Sequence, residues 1–507
     1  MSPYNLAILL LCLAPFLWFI HALITPLLPF KSSRRKLPPG PRGLPIIGSL
    51  NLLGKLPHRS LNDLAKKYGP IMSMKLGNVT TIVVSSPQIA EKILKTHDLV
   101  FASRPQNEAG KHVSYGNKGI AFGEYGHYWR NIRKLCTLEL FSAKKIDSLA
   151  EMRREELVMM VSTIKKAALA RQVVDVSDLV GDGIEKMTYR MLFGKKDDDR
   201  FDLKGTMQEL MDQAGAFNIA DYVPMLGPLD IQGLTRKIKD MRKSMDKILD
   251  TFISEHEEAA STTRPEGYEP DFVDILLSVL DKREEKRGDL VSLIDRDSMK
   301  AILVDMIAAG IDTSRTTIEW IMAELLKHPR TMKKLQQEIK DVVGDADIVE
   351  DKDLSRLPYL DMVIKESFRL HPTVPLLIPR QSMDDIVIDG YDIPKKSRIF
   401  INSWAIGRDP AVWSDNVLEF VPERFADKKI DLKGHDYELL PFGSGRRVCP
   451  GMNLGLVKVR QIVAQLVHSF DFELPNGMSA SDLDMDEKFG LALPRENHLL
   501  LLPSVRV

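Results

Sequence analysis

The sequence predicts a mainly α-helical protein with small β-sheets, formed by one large folded body behind an N-terminal transmembrane anchor. Three observations predict this class. Residues 3–30 contain no Asp, Glu, Lys or Arg, helical periodicity dominates from Ser60 onward, and strand-like runs are short. Long helices with a few small sheets indicate a single mainly α body. The strand-like runs cover residues 80–84, 385–388, 398–401 and 499–502, and the polar stretch 256–270 is predicted to be an exposed loop.

The first thirty residues, 1–30, are predicted to be the membrane anchor. The run 6–24 is almost wholly apolar, close to the ~20 residues that span a bilayer. The basic run 31–36 that follows predicts that this flank stays cytoplasmic, with the N-terminus in the lumen. A cleaved signal peptide is the alternative, but it needs a basic region before the apolar run and a small-residue cleavage site after it. Neither is visible in the sequence.

Residues 31–48 are predicted to be a basic flank followed by a proline-rich spacer. Proline stiffens the chain and withholds backbone donors, so the run 37–45 (LPPGPRGLP) should be neither a helix nor an interior strand. It favours a semi-rigid connection between the membrane and a folded body at 49–507. A plain loop is the alternative, and the two differ little physically.

The composition bounds the functional class. The chain has 507 residues, 44% of them hydrophobic, and its 70 basic side chains balance 70 acidic ones. That balance argues against a nucleic-acid binder, which usually carries a basic excess. The cysteines are Cys12, Cys136 and Cys449. They are too few and too scattered for a disulfide framework, so a reducing compartment is expected for most of the chain.

The most informative segment is residues 441–451, PFGSGRRVCPG. Its glycines let the backbone turn sharply and approach a large flat ligand. Free backbone N–H groups can then point at the sulfur of Cys449, and nearby arginine favours thiolate over thiol. A thiolate on haem iron favours O–O bond cleavage. The alternative is a buried structural cysteine in a glycine-rich turn.

This segment matches Phe-x-x-Gly-x-Arg-x-Cys-x-Gly and resembles the haem-binding signature of the cytochrome P450 family. Other family landmarks follow in the expected order over nearly the whole chain. The resemblance implies the cytochrome P450 fold, with a long central helix over haem b and small β-sheets. It implies that 49–507 form a haem-thiolate catalytic domain. Cys449 would be the axial iron ligand and Phe442 a further haem contact.

Residues 299–327 are predicted to be the long central helix, with Ala-Gly-Ile-Asp-Thr-Ser at 309–314 in its middle. A glycine inside a helix costs ~1 kcal/mol relative to alanine. The resemblance implies that Gly310 leaves a groove for dioxygen. It also implies that the Thr313 hydroxyl assists oxygen activation and that Asp312 helps to relay protons. The alternatives are a threonine bonded to the carbonyl four residues back and an aspartate on a solvated face.

Haem carries two propionates, which need cationic or hydrogen-bonding partners. Trp129 and Arg133 lie four residues apart, on one face of a predicted helix. The resemblance implies that both bind haem, together with Arg104, Arg380 and Arg447. Surface arginines are common, so each of these alone is weak support.

Glu366 and Arg369 lie three residues apart on one helical face. Alone they would be a common surface ion pair of little energetic importance. The resemblance implies that the pair is buried and bonded to Arg424, in the Pro-Glu-Arg-Phe segment at 422–425. These three residues are expected to be structural, not catalytic.

The resemblance also implies which segments line the substrate cavity. These are the loop 113–120, Ala309, and residues 374–378 and 489–491. They are mostly apolar, which suits a lipophilic substrate. The alternative is that they are ordinary core.

The implied reaction inserts one oxygen atom from O2 into a C–H or C=C bond. No flavin or dinucleotide fingerprint is present, so NADPH–cytochrome P450 reductase is the expected electron donor. The anchor, the spacer and the 309–314 motif resemble plant A-type enzymes of specialised metabolism. Those act in the endoplasmic reticulum membrane with a cytosolic catalytic domain, on substrates such as terpenoids, phenolics including biphenyls, or alkaloids. The alternatives are a P450-fold enzyme that rearranges peroxides, against which Asp312 and Thr313 speak, and a non-catalytic haem-binding regulator.

Overall fold

The structure is a computed structural model that describes residues 35–194, 200–260, 268, 270–285, 294–414 and 416–506. The predicted anchor, residues 1–30, lies outside the described residues, as does the start of the basic flank. Within the described ranges, no helix is both long enough and apolar enough to cross a membrane. The run 37–45 is neither helix nor interior strand, as predicted, although Leu44 forms an isolated β-bridge with Gly48.

Helices make up most of the described chain. In chain order they are α1 Pro57–Tyr68, α2 Pro87–Glu91, α3 Glu108–His112, α4 His127–Glu139, α5 Ala143–Ser148, α6 Ala150–Leu169, α7 Val176–Phe193, α8 Leu203–Gly215, α9 Leu234–Ala260, α10 Phe272–Glu285, α11 Arg296–Lys327, α12 Pro329–Val343, α13 Asp351–Leu354, α14 Pro358–Leu370, α15 Ser403–Ile406, α16 Pro410–Trp413 and α17 Met452–Ser469. Short 3₁₀ turns include Ile219–Asp221, Pro422–Phe425 and Gly445–Arg447. The mainly α class is therefore confirmed.

The strands are short and form small sheets. They are β1 Ile71–Leu76, β2 Val79–Val84, β3 Val174–Asp175, β4 Arg380–Gln381, β5 Ile386–Ile388, β6 Tyr391–Ile393, β7 Arg398–Ile401, β8 Phe470–Glu473 and β9 Leu500–Val505. The sheets have the orders β1-β2-β7-β4, β3-β9-β8 and β5-β6. All pairs are antiparallel except β2 with β7. The four strand-like runs in the sequence are confirmed as β2, β5, β7 and β9.

Helix α11 is the central element. It begins at a capping box, in which the Asp295 side chain accepts the backbone N–H of Ser298 at 2.8 Å. It ends before Pro329, which starts α12. Nearly every side chain between these ends is buried, because α7, α8, α14 and α17 all pack against it. The predicted helix 299–327 is confirmed, and the capping box places its start at Arg296.

The predicted exposed loop at 256–270 is wrong over its first five residues. Helix α9 continues to Ala260, since this stretch is rich in alanine and glutamate, which favour helix. His256 is buried, with Nδ1 2.7 Å from the carbonyl oxygen of Phe252 and Nε2 2.8 Å from Oδ2 of Asp271. A histidine that faces the core cannot be separated from a loop histidine by composition alone.

The buried ion-pair cluster of Glu366, Arg369 and Arg424 is confirmed. Glu366 and Arg369 on α14 are fully buried and joined by two hydrogen bonds of 2.7 and 2.8 Å. Arg424 donates from Nε to Oε1 of Glu366 at 3.0 Å. Arg369 also donates to the carbonyl oxygens of Gly407 and Val417. The cluster therefore ties α14 to the segments that precede the cysteine loop.

Candidate active site

The cysteine loop, residues 441–451, is a tight hairpin that leads into α17. The backbone N–H of Cys449 donates to the carbonyl oxygen of Phe442 at 2.9 Å. Gly443 and Gly445 have φ angles of 68° and 67°, which glycine adopts without strain. A side chain at Gly445 would also collide with the carbonyl oxygen of Leu94. The loop thus needs its glycines to hold Cys449 at the wall of a large internal cavity.

The surroundings of Cys449 do not by themselves produce a thiolate. Burial raises the pKa of the Cys449 thiol, and the backbone N–H of Gly451 and the charge of Arg133 lower it by less. The expected effect of a nearby arginine is therefore present but outweighed by desolvation. A coordinated metal ion deprotonates a thiol outright. Cys449 is thus suited to a metal-bound thiolate and poorly suited to act as a free nucleophile.

Four arginines from separate segments line the same cavity as Cys449: Arg104, Arg133, Arg380 and Arg447. Each is held by backbone carbonyl oxygens. Arg133 donates to Val448 at 2.6 Å, and Arg380 donates to Ser444 at 2.5 Å. Arg104 reaches Ala121, Ile378 and Pro379, and Arg447 reaches Ala102, Ile120 and Gly123. The predicted arginine set is therefore brought together in one place.

The arginine set carries more positive charge than its surroundings balance. Burial, together with repulsion from the other three arginines, holds the pKa of Arg104 well below its usual range. Burial lowers the pKa of Arg447 to about 9. Among the described residues, Asp98 is the carboxylate that pairs with this set, through Arg380 at 2.9 Å. A buried cluster of this kind needs anionic partners, and the two propionates of haem fit that requirement.

Trp129 and Phe442 complete this wall of the cavity. The indole N–H of Trp129 donates to the carbonyl oxygen of Ile120 at 2.9 Å, so it is already used within the protein. Its ring lies 3.8 Å from Cζ of Arg447 and 5.5 Å from that of Arg133. Trp129 is therefore placed to orient these two arginines, and it also lines the cavity where the resemblance implies a haem contact. Phe442 packs edge-on against Phe368 at 5.5 Å.

The opposite wall is the middle of α11. Ala309 is exposed and Gly310 and Thr313 are half-buried, in a helix whose other central residues are buried. All three line the cavity. A Cβ atom at Gly310 would lie 3.8 Å from its nearest protein neighbour, the Thr188 hydroxyl. No clash with protein therefore requires glycine here, and its absent side chain leaves room for whatever the cavity holds.

Thr313 and Asp312 take different positions on α11. The Thr313 hydroxyl donates to the carbonyl oxygen of Ala309 at 2.6 Å, the helical bond that was the alternative interpretation. Its oxygen can still accept a hydrogen bond at the cavity wall. Asp312 is 3% exposed and does not line the cavity. It accepts from Arg315 at 3.1 Å through Oδ1, while Oδ2 has no partner among the described residues.

Burial raises the pKa of Asp312 to about 6. The interpretation of Asp312 as a solvated surface residue is therefore excluded. A buried carboxyl group that gains and loses a proton near neutral pH can hold a proton for transfer. Its side chain is directed toward Arg315 on the buried side of α11, so any transfer to the cavity has to pass through other groups.

Comparison with known proteins decides the family. The family model described as Cytochrome P450 matches residues 38–502. The chain belongs to the cytochrome P450 family. Cytochrome P450 CYP736A12 of Panax ginseng is 56% identical over all of both chains, 507 residues of this one. Phenylacetaldehyde oxime monooxygenase CYP71AN24 of Prunus mume is 40% identical over 99% of this chain and 95% of its own length.

Among solved structures, a zebra fish cytochrome P450 in complex with abiraterone has a TM-score of 0.73 at 26% identity. It covers 89% of this chain and all of its own. The predicted cytochrome P450 fold is thereby confirmed, and the relatives agree with a plant A-type enzyme. This protein is a cytochrome P450 monooxygenase, and the family binds haem through a thiolate.

Two further ionisable residues of the P450 cavity were not predicted from the sequence. Asp305 on α11 lines the cavity, and its Oδ2 accepts the backbone N–H of Ala121 at 2.9 Å. Burial raises the pKa of Asp305 to about 6. Lys458 on α17 is 3% exposed, and burial lowers its pKa to about 8. The helical spacing of Asp305 from Ala309 and Thr313 could have indicated its face, but no motif marks Lys458.

The predicted substrate segments are partly brought together. Apolar residues of the expected segments line the main cavity: Ile120, Ala309, Val374, Leu377 and Ile378. Residues 489–491 do not line it. They line a neighbouring pocket, whose walls include Val374 and Leu377 as well. The sequence could predict that these segments lie near one another. It could not show that Val374 and Leu377 lie between the main cavity and the neighbouring pocket.

Proposed function

We propose that this P450 binds haem b and inserts one oxygen atom from O2 into a lipophilic plant specialised metabolite. The observation that carries the proposal is one cavity, lined by Cys449 and four arginines and also by the middle of α11. At this point of α11, Ala309 is exposed and Gly310 is half-buried. A haem attached through thioethers needs a Cys-x-x-Cys-His motif, which the sequence lacks. Haem b, held by one thiolate and by its propionates, is the form that these residues suit.

Haem bound through Cys449 supplies the activation of O2. The protein supplies position and charge. Arg104, Arg133, Arg380 and Arg447 would hold the propionates. The Trp129 ring would orient the guanidinium groups of Arg133 and Arg447. The hydroxyl of Thr313 lies at the wall where oxygen would be activated, and its oxygen can accept a hydrogen bond there while its O–H donates to Ala309. Asp312 is the buried acid nearest in the chain, and we propose that it feeds protons toward Thr313.

The substrate class follows from the apolar part of the cavity wall. Ile120, Val374, Leu377 and Ile378 offer no charge and exclude water from the reacting centre. The relative from Prunus mume is named for an aromatic oxime. We propose terpenoids, phenolics such as biphenyls, or alkaloids as substrates.

We further propose that the enzyme is a single-pass protein of the endoplasmic reticulum membrane, with residues 1–30 as the anchor and the catalytic domain in the cytosol. The support is the uncharged run 3–30 followed by the basic residues 31–36. NADPH–cytochrome P450 reductase is the proposed electron donor. Protease added to intact microsomes should digest the catalytic domain, and a protected domain would contradict this topology.

The reaction is tested with microsomes that contain the enzyme and the reductase, a panel of lipophilic compounds and ¹⁸O-labelled O2. The proposal expects at least one product that carries a single labelled oxygen and forms only when NADPH and reductase are present. Product that forms without NADPH or O2 would instead indicate a rearranging enzyme. Haem binding without any product would favour a regulator.

A further inference from the structure

Two more pockets lie beyond the main cavity. The inner pocket shares Val374 and Leu377 with the main cavity, and its other walls include Phe217, Phe400 and Phe489. The outer pocket is polar. Asn78, Gln106, Lys395 and Lys396 are among the residues that line it. Asp221 and Arg398 line both the inner and the outer pocket. The three spaces therefore lie in series, with these two opposite charges at the junction of the outer two.

Arg398 is a buried cation without a direct counter-ion. It begins β7, where it pairs with Thr81 and Gln381, and it is only 5% exposed. Its guanidinium lies 4.4 Å above the ring of Tyr222. Within the described ranges its Nε has no hydrogen-bond partner and no carboxylate forms an ion pair with it, while the rest of the guanidinium lies within hydrogen-bonding reach of the Tyr222 hydroxyl. A buried N–H donor of this kind is costly unless something accepts from it.

Asp221 lies close to Arg398 but is held by another partner. Its Oδ1 accepts the backbone N–H of Glu108 at 2.7 Å, which fixes it against the start of α3. Burial raises the pKa of Asp221 to about 6, although the charge of Arg398 lowers it. The two charges are thus near enough to influence each other without being bonded. A neutral group with one acceptor and one O–H donor can satisfy both.

We propose that Arg398 and Asp221 bind a hydroxyl group of the substrate, which accepts a hydrogen bond from Arg398 and donates one to Asp221. The aromatic walls of the inner pocket would hold the adjoining apolar body. A carboxylate fits less well, because Asp221 would repel it. The inference rests on the proposed function in one respect, namely that the cavity series receives a lipophilic substrate. It narrows that substrate class to alcohols and phenols.

The test is equilibrium dialysis of the purified holoenzyme with three probes: biphenyl, 4-hydroxybiphenyl and biphenyl-4-carboxylic acid. A hydrogen bond to a charged group changes Kd by roughly tenfold or more. The wild type should therefore bind 4-hydroxybiphenyl about tenfold more tightly than biphenyl. Arg398→Gln should lose this preference and leave the Kd of biphenyl unchanged. Arg398→Lys keeps the charge and should retain part of the preference.

Lys396→Gln is the matched control, since Lys396 is exposed and lines the outer pocket but not the inner one. It should change neither Kd. Equal binding of biphenyl and 4-hydroxybiphenyl by the wild type, or no binding of the latter, would overturn the proposal. It would also be overturned if Arg398→Gln weakened the binding of biphenyl and 4-hydroxybiphenyl equally and Arg398→Lys gave the same Kd values as Arg398→Gln. Tightest binding of biphenyl-4-carboxylic acid would overturn it as well.

The dialysis measures binding without turnover, so it separates this inference from the proposed reaction. If no labelled product forms but the Arg398-dependent preference is present, the hydroxyl site stands and the monooxygenation proposal fails. If labelled product forms and the preference is absent, only the hydroxyl site fails.

Discussion

The wall around Cys449 and the wall formed by α11 face the same cavity but are built differently. On the cysteine wall, Cys449, Arg133 and Arg380 are each fixed by a hydrogen bond to a backbone group. On the α11 wall, Ala309 is exposed and Gly310 is half-buried. The adjacent Asp312 is buried behind this wall, and one of its carboxylate oxygens has no partner among the described residues. The first wall is preorganised to hold a ligand, whereas the second leaves space at the cavity and keeps a buried acid behind it.

The largest effect, on the free energy of unfolding and on haem retention, is expected in the Glu366 ion-pair cluster that supports the cysteine wall. Glu366→Ala leaves Arg369 and Arg424 without their carboxylate, and breaking a buried pair costs about 3–5 kcal/mol. The expected outcome is a much lower free energy of unfolding in urea and little haem retained on purification. Asp63→Ala is the control, because Asp63 pairs with Lys66 on the surface and should cost about 1 kcal/mol or less. Similar losses for both variants would contradict the supporting role.

The next largest effect concerns Thr313. Thr313→Ala removes a hydroxyl at the cavity wall, and since alanine favours helix, the fold and haem content should be unchanged. The ratio of product formed to NADPH oxidised should fall several-fold, with more peroxide released.

Thr316→Ala is the matched control for this comparison. It removes from the same helix a fully buried hydroxyl, which has no hydrogen-bond partner in the part of the chain that the structure describes. Its product ratio should equal that of the wild type. An unchanged ratio in Thr313→Ala would show that the helical bond to Ala309 is the whole role of that hydroxyl.

A smaller, pH-dependent effect is expected for Asp312. Burial raises its pKa to about 6, so the carboxyl group is mostly protonated below pH 6 and loses its proton as the pH rises. If it supplies protons, the wild-type ratio of product to NADPH should decrease as the pH rises through about 6. Asp312→Asn cannot exchange a proton and should show a lower ratio without that inflection. The same inflection in both proteins would remove Asp312 from the relay.

The two walls also differ in how far the sequence could predict them. Cys449, Gly445 and Arg447 occupy fixed spacings in one segment, and the turn they form is local, so the motif was enough to predict that Cys449 and Arg447 lie at one cavity. The direction of the Asp312 side chain depends on how α8 and α11 pack. One-dimensional spacing put Asp312 beside Thr313 but could not show that it is turned to Arg315 and away from the cavity.

Other misses have similar physical causes. Strand β1 has the sequence Ile-Met-Ser-Met-Lys-Leu and lacks the run of β-branched residues that marks β2. The sequence pattern alone therefore did not predict it. The positions of Asp305 and Lys458 in the cavity come from tertiary packing of α11 and α17. Arg398 likewise starts a strand that the sequence predicted, whereas the lack of a partner for its Nε among the described residues is visible only in three dimensions.

The most direct test of the account is the spectrum of the reduced carbon monoxide complex of Cys449→Ser, with Cys136→Ser as the control. Cys136 is a fully buried thiol on α4 that does not line the cavity. The wild type and Cys136→Ser should show the red-shifted Soret band of thiolate-bound haem, and Cys449→Ser should lack both the band and monooxygenase activity. A Cys449→Ser protein that kept the band would contradict the assignment of Cys449 as the axial ligand.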